Sequence, residues 1–170
     1  FAKSFINAHR ANGILTALKH FPGHGSSTRD THKGFVDVTR TWRKNELAPY
    51  EALIASGKID MVMAAHVSLS LTSKKDKRPA TLSKTILTDL LRGRMGFKGV
   101  VISDDMEMGA IRKSYGRVEA AIQAIKAGND ILLYSTSPSS KIDLVTRLQT
   151  ALQAAARKDD GLRKRIEQSY

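Results

Sequence analysis

Four apolar runs constrain the fold of this chain more than any other feature. Each run is short, is followed by a polar loop and leads into a helical pattern. The runs are continuously apolar and do not alternate with polar residues, which is typical of strands that are buried on both faces of a parallel sheet. They are ILTALKHF (14–21), IDMVMAAH (59–66), GVVISDD (99–105) and DILLYS (130–135).

Helical patterns separate the four runs. They show apolar stripes at helical spacing and terminal signals, such as Pro49 near a start, Ser83 as an N-cap and Gly128 as a stop. The opening residues read as the end of an amphipathic helix closed by Gly13, so we expect the chain to begin inside a domain. The other expected helices cover 42–54, 82–94, 117–127 and 141–156, with a short basic helix from residue 161.

Strands that alternate with helices over short connections predict an α/β fold with parallel strands, arranged as (βα)4. A closed TIM-type (β/α)8 barrel needs eight strands, and only four are visible in the sequence. We therefore predict that residues 1–170 form half of such a barrel, as a single domain.

The composition excludes several classes of function. The formal charge is +12, but the basic residues are dispersed along the chain, so we expect solvated faces and no nucleic-acid partner. The chain has no cysteines, which excludes disulfides and thiolate metal sites. No run approaches the roughly 20 apolar residues of a membrane span, so no span is expected. The sequence leaves the compartment open.

Polar side chains follow the apolar runs at the points where the predicted strands end. Lys19 and His20 lie at the end of the first strand, His66 at the end of the second, and Asp104 with Asp105 at the end of the third. The carboxyl ends of parallel strands are where barrels and open α/β sheets place their sites. The sequence therefore predicts a site at this edge, to which Ser135 also belongs.

The segment VISDDMEMG (101–109) brings two adjacent aspartates to a strand end. Both cannot point the same way, so we expect one to do chemistry and the other to cap a helix or bond to the loop. An ionised Asp104 could act as a nucleophile at an anomeric carbon, as a metal ligand or as a general base. The alternative is that it is only a helix cap.

The segment KHFPGHGSSTRDTHKG (19–34) is the richest in titratable groups. Asp30 and His32 are two residues apart, so the carboxylate can accept a bond from one imidazole nitrogen and raise the basicity of the other. Such a histidine can donate and retrieve a proton near neutral pH. The alternatives are a loop salt link or an Asx-turn at Asp30. Because Gly23 and Gly25 lack a third glycine and a helix register, a phosphate cradle has little support.

The remaining polar residues of this edge are candidates for substrate binding. Lys19 and His20 offer donors at the floor of a pocket, suited to sugar hydroxyls, carboxylates or phosphate, although Lys19 could simply be solvated. His66 is a further substrate-binding candidate, and its alternative is a satisfied, half-buried histidine. Trp42, the only tryptophan, is expected to anchor a helix.

Taken together, these motifs resemble the β-N-acetylglucosaminidase branch of the family 3 glycoside hydrolases. The resemblance runs over nearly the whole chain and is carried by KHFPGHG with a later D-x-H, AAHVS (64–68), PATLS (79–83), GFKGVVISDDMEM (96–108) and AGNDILLYS (127–135). It implies that Asp104 is the nucleophile and that His32 is the acid/base, oriented by Asp30. It further implies that Lys19 and His20 bind hydroxyls of the N-acetylglucosamine ring, and that no cofactor or metal is needed.

The resemblance also implies that something is missing. Family barrels are considerably longer than 170 residues, and their first half supplies an Asp and an Arg that grip the sugar. Residues 1–170 would then be the C-terminal half of the catalytic barrel. The partner implied is the missing N-terminal half, in cis or in trans, and the fragment alone is expected to be inactive because its sheet edges and apolar helix faces are bare.

The function expected from the resemblance is a retaining exo-β-N-acetylglucosaminidase, acting on cell-wall muropeptide sugars of peptidoglycan recycling or on chito-oligosaccharides. A phosphorylase or another family 3 β-glycosidase is the nearest alternative, since a histidine acid/base does not repel phosphate as a carboxylate would. Two alternatives belong to other classes. One is a non-catalytic half-barrel that binds a polymer or partner chain, and the other is a metal-dependent hydrolase using His20, His24, Asp30, His66 and Asp104.

Overall fold

A computed structural model describes residues 1–71, 77–135 and 141–170 of the chain. In those residues the strands are β1 (Ala17–Phe21), β2 (Val36–Asp37), β3 (Met61–Ala64), β4 (Val67–Ser68) and β5 (Val100–Ser103). The α-helices are α1 (Ala2–Ala11), α2 (Ala48–Ala55), α3 (Gly109–Arg112), α4 (Arg117–Ala127), α5 (Lys141–Ala156) and α6 (Asp160–Glu167). Short 3-10 helices cover Lys44–Leu47 and Ala80–Leu82, and a π-helix covers Thr85–Arg94.

The first three apolar runs form one parallel sheet in the order β1-β3-β5. Ala64 of β3 lies opposite both Phe21 of β1 and Ser103 of β5, so the three strands end at the same edge. Val62 and Val101 are fully buried, as expected for strands with helices packed against the sheet. The prediction of an α/β fold with parallel strands is confirmed.

The fourth apolar run does not form the predicted strand. Ile131 makes a single parallel bridge to Ile102, and the main-chain N–H groups of Asp130 and Ile131 both donate to the Val101 carbonyl, at 2.8 and 3.1 Å. A regular ladder would spread these bonds over successive residues. Ile131 is 44% exposed, so the segment lies at an edge of the sheet.

The helices begin and end close to the predicted positions, with one change of type. Gly13 and Gly128 adopt positive φ after α1 and α4, as helix stops commonly do. The helix predicted from Ser83 is a π-helix, in which the Met95 N–H donates to the Leu90 carbonyl five residues earlier. Ser83 precedes it by two residues and contributes its main-chain carbonyl to the first turn, which corrects its predicted place as the cap.

Two features of the fold were not predicted. The strands β2 and β4 pair in parallel over two residues each, which is too short to leave a pattern in the sequence. The hydrophobic core is also divided. One cluster lies around Phe21 and Tyr50, whose rings meet edge to face at 5.2 Å, and a smaller one contains Leu82, Met106, Ile111, Ala120 and Ala124.

Asp130 joins the sheet to the π-helix and to α6. One carboxylate oxygen accepts bonds from Arg92 and from the Val101 N–H, and the other accepts bonds from Arg165 and Ser169. We call this group the Asp130 clamp. No helix in the three described ranges is both long and apolar enough to cross a bilayer.

Candidate active site

Asp104 stands directly after β5, at the carboxyl end of the sheet. Its N–H donates to the Ala64 carbonyl at 3.1 Å, which continues the ladder with β3 and fixes the direction of the chain. Its Oδ1 accepts the Asp105 N–H at 2.8 Å. Its Oδ2 lies 3.8 Å from His20 Nε2, beyond the length of a hydrogen bond. One oxygen is thus held by the chain, and the other faces a histidine at the strand edge.

Asp105 turns the other way and bonds to the loop. Its Oδ1 accepts the N–H groups of Glu107 and Ser135 at 3.0 and 3.1 Å, and its Oδ2 accepts the Ser135 hydroxyl. Burial raises the pKa of Asp105, but these bonds outweigh it and leave the pKa below its ordinary value. The two aspartates therefore have different surroundings, as the sequence predicted, and Ser135 is a partner of Asp105.

His20 lies between Asp104 and His24. Its side chain is half-buried, and burial lowers its pKa although the Asp104 charge acts to raise it. The rings of His20 and His24 meet edge to face with centroids 5.9 Å apart. Lys19 is exposed beside them. The end of β1 thus presents the His20 imidazole to Asp104, with the exposed Lys19 side chain one residue earlier.

Asp30 and His32 form the pair that their spacing predicts. Asp30 Oδ1 accepts the His32 N–H at 2.9 Å and the ring Nδ1–H at 2.8 Å. These hydrogen bonds lower the pKa of Asp30. Because a carboxylate can only accept, the proton on Nδ1 is fixed, and Nε2 is the ring nitrogen left to exchange a proton with a ligand. The His32 side chain is 75% exposed, so Nε2 is accessible.

The loop that carries this pair is bonded to the chain that follows Asp104. The Gly109 and Ala110 N–H groups donate to the carbonyls of His32 and Thr31, each at 3.1 Å. On the opposite side Thr31, which is buried, has its hydroxyl 3.3 Å from His24 Nε2. His32 and Asp104 therefore lie on the same rim, connected through His24 and His20 on one side and through α3 on the other.

The first part of the same loop is anchored by hydrogen bonds to Trp42 and Glu46. Trp42 Nε1–H donates to the Pro22 carbonyl at 3.0 Å, and Glu46 accepts the Ser26 hydroxyl. Gly23 has φ of +122°, and a Cβ there would lie 2.5 Å from Glu46 Oε2, so this position needs glycine for two reasons. Trp42 anchors the loop as well as its own segment. Glu46 was not predicted, because nothing in its sequence context marks a contact twenty residues away.

His66 is placed beneath the site and not in it. It is 1% exposed, and burial lowers its pKa, so the ring is neutral. Its Nε2–H donates to the Asp105 carbonyl at 2.9 Å, and its Nδ1 lies 2.8 Å from the Thr81 hydroxyl. Both ring nitrogens are used inside the protein, so none is left for the sugar contact that was expected. Its alternative as a satisfied histidine fits this geometry.

The residues named for a metal site do not come together as a ligand set. Within the three described ranges, no group of three or more His, Cys, Asp or Glu side chains is placed so that it could hold a metal ion. His20 and Asp104 are neighbours, whereas His66 is committed to Thr81 and Asp105.

Comparison with known proteins relates the chain to one family. A family model described as "Glycosyl hydrolase family 3 N terminal domain" matches residues 1–168. A curated relative named Beta-hexosaminidase, from Tolumonas auensis, is 36% identical over 151 residues, which are 87% of this chain and 44% of the relative. The chain thus spans less than half of that relative's length.

Solved structures give the same result. The β-N-acetylhexosaminidase from Beutenbergia cavernae matches with a TM-score of 0.86 at 31% identity, over 98% of this chain and 48% of that one. A glycoside hydrolase family 3 β-N-acetylglucosaminidase from Paenibacillus matches with a TM-score of 0.83 at 38% identity, over 96% of this chain and 31% of that one.

Proposed function

The chain belongs to glycosyl hydrolase family 3, and from that premise we propose that it carries the catalytic residues of a retaining exo-β-N-acetylglucosaminidase. The observation that carries the proposal is that two unlike groups share neighbours: Asp104 faces His20, and the loop that bears His32 contacts His24 and α3. Asp104 has an oxygen free of main-chain bonds, and His32 has a ring nitrogen that Asp30 leaves accessible. One group can attack an anomeric carbon while the other handles the proton.

The proposed reaction has two steps. In the first, Asp104 Oδ2 attacks the anomeric carbon and forms a glycosyl ester, while His32 Nε2–H gives its proton to the departing glycosidic oxygen. In the second, His32 Nε2 takes a proton from water, the water oxygen attacks the same carbon, and the bond to Asp104 breaks. Asp30 stabilises the imidazolium that precedes the first step and follows the second. Two inversions at one carbon give net retention.

Binding of the sugar is proposed for the end of β1. His20 lies next to Asp104, and Lys19 precedes it with an exposed side chain, so both could offer donors to ring hydroxyls. His66 would act indirectly, since it bonds to the carbonyl of Asp105, the residue after the nucleophile. The half of the sugar site that faces away from β1 would come from outside this chain.

We propose that these residues are the C-terminal half of a (β/α)8 barrel. The chain spans 44% of the curated relative, and the segment that leads into β1 carries exposed Ile14 and Leu15. At the other end of the sheet Ile131 is also exposed. A preceding half-barrel on the same polypeptide would cover both edges. The 170-residue chain by itself is then expected to be inactive, and the mass of the native polypeptide tests the point.

The proposed substrate class is a terminal β-linked N-acetylglucosamine, on a cell-wall muropeptide sugar or a chito-oligosaccharide. Support comes from the name Beta-hexosaminidase of the bacterial relative. Turnover of a chitin disaccharide compared with a disaccharide ending in a muramic sugar would decide between the two aglycones.

The experiment uses the complete native protein with para-nitrophenyl β-N-acetylglucosaminide. We expect release of nitrophenol, with the β-anomer of N-acetylglucosamine as the first product seen by proton NMR. The α-anomer as first product would contradict retention, and no turnover of this compound would contradict the activity. Appearance of the sugar 1-phosphate when phosphate is added would identify a phosphorylase, which an acid/base residue without a negative charge permits.

A further inference from the structure

Gly109 packs closely against the loop that carries His32. It is the first residue of α3, and its N–H donates to the His32 carbonyl at 3.1 Å. A Cβ at this position would lie 2.5 Å from that carbonyl oxygen, 3.0 Å from the Lys33 carbonyl carbon and 3.1 Å from the Gly34 nitrogen. All three contacts are to main-chain atoms, which cannot move aside as the end of a flexible side chain can.

The backbone conformation does not explain the glycine. The described glycines with positive φ are at positions 13, 23, 34, 57, 96 and 128, and Gly109 is not among them. Alanine could therefore adopt the same backbone at position 109, in the first turn of a helix, without conformational strain. What excludes a side chain is the nearness of the loop that carries His32.

This nearness links the two groups of the proposed mechanism. Asp104 is fixed to β3 through its N–H, and the chain from Asp104 reaches Gly109 in five residues. From there the contact passes directly to His32, whose ring is the proposed acid/base. Lys113 adds a second tie, since its Nζ donates to the Lys33 carbonyl at 2.7 Å. The separation of the two backbones at Gly109 thus sets how far the His32 loop stands from the end of β5.

We propose that Gly109 is a positioning residue, and that its missing side chain lets the acid/base loop sit close enough to Asp104 for proton transfer to the leaving group. The inference rests on the proposed glycosidase function. A side chain at 109 would push the His32 carbonyl outwards and carry Asp30 with it, because both bonds of that pair lie within the same loop.

The experiment compares Gly109→Ala with Gly116→Ala in the complete native protein. Gly116 is an exposed N-cap with no heavy atom within 4 Å of a would-be Cβ, so it is a matched control. The substrates are an alkyl β-N-acetylglucosaminide, which needs acid assistance, and an aryl one with an activated leaving group. For Gly109→Ala we expect kcat/KM to fall about 10- to 100-fold for the alkyl substrate and less than about 3-fold for the aryl one. Gly116→Ala should change neither.

The outcomes separate the inference from the function on which it rests. If the parent hydrolyses both substrates and Gly109→Ala matches the control, the positioning role is wrong and the glycosidase stands. Equal losses for both substrates would indicate general damage and would also overturn the role. If the parent hydrolyses neither substrate, the proposed function falls, and the inference falls with it.

A second variant covers the case in which Gly109→Ala does not fold. Lys113→Met removes the tie to the Lys33 carbonyl at an exposed side chain and leaves the core unchanged. The expected loss is about 3-fold with the alkyl substrate and none with the aryl one. An unchanged ratio of the two rates would overturn the inference.

Discussion

Two carboxylates lie at opposite ends of β5, and they differ in how many of their oxygens are hydrogen-bonded. Asp130, near the start of the strand, has both oxygens occupied by bonds from Arg92, Arg165 and Ser169 as well as the Val101 N–H. Asp104, at the finish of the strand, has one oxygen bonded to the next N–H and the other 3.8 Å from a histidine. The first is saturated, and the second keeps an oxygen available.

The difference distinguishes a carboxylate that can only stabilise the fold from one that can also react. A saturated carboxylate is stabilised in its charged form and has no lone pair to offer a ligand, so it can only hold the fold together. A carboxylate with one free oxygen gives up some stabilisation and keeps a nucleophile in place. We therefore expect substitution of Asp104 to lower activity and substitution of Asp130 to lower stability.

The largest expected effect follows from Asp104→Asn. The amide keeps an oxygen for the Asp105 N–H, so the free energy of unfolding should change by less than about 1 kcal/mol. The amide is not a nucleophile, so kcat for an aryl β-N-acetylglucosaminide should fall on the order of 10⁴-fold or more. Steady-state kinetics and a urea titration on the same preparation measure both. Activity within tenfold of the parent would remove the contrast with Asp130.

Next comes His32→Ala, which tests the other half of the rim. General acid catalysis contributes about 10²- to 10⁴-fold, and we expect a loss in that range for alkyl glycosides and a much smaller loss for activated aryl ones. His9→Ala, at a partly exposed histidine of α1 outside the site, is the control and should behave as the parent. Equal losses for both leaving groups would argue against a proton-transfer role.

Asp130→Asn should give the converse result. The neutral amide leaves Arg92 and Arg165 without their counter-charge in a partly buried ion pair, and the free energy of unfolding should fall by about 2 kcal/mol. The folded fraction should keep its kcat, because the clamp lies away from the rim. Asp160→Asn is the control: Asp160 is 83% exposed and pairs with Arg163 at 3.3 Å, and its loss should cost at most about 0.5 kcal/mol. Similar unfolding midpoints for the two variants would contradict the contrast.

The smallest effect is expected on the free energy of unfolding at acid pH. Burial raises the pKa of Asp130, but the Val101 N–H bond and the two arginines outweigh it and lower the pKa. A carboxyl whose native pKa is lowered contributes stability that is full above its unfolded pKa of about 3.9 and is lost as the pH falls through the native value. Unfolding free energies measured downward from about pH 5 should fall less steeply in Asp130→Asn. Parallel curves for parent and variant would contradict this assignment.

The part of the fold that follows from apolar periodicity could be predicted from the sequence. Three of the four runs are strands of one parallel sheet, and the helices begin and end close to the terminal signals in the sequence. The strand predicted for the fourth run was wrong, because the N–H groups of Asp130 and Ile131 both donate to the Val101 carbonyl. No local sequence pattern encodes this arrangement. The π-helix was missed for a related reason, since an apolar stripe does not distinguish i→i+4 from i→i+5 bonding.

In the site, short-range relations were predictable and long-range ones were not. The Asp30–His32 pair and the different surroundings of Asp104 and Asp105 follow from their positions along the chain. The place of His66 depends on Thr81 and on the Asp105 carbonyl, which are fifteen and thirty-nine residues away. A strand-end histidine looks the same in sequence whether it faces a ligand or lies below one.

The central claim is that Asp104, the unsaturated carboxylate, forms the covalent bond to the sugar. A fluorinated N-acetylglucosaminyl fluoride that stalls turnover after bond formation tests it on the complete protein, with peptide mapping by mass spectrometry. We expect one added sugar, located on Asp104. A label on Asp105, on His32 or on any other residue would contradict it.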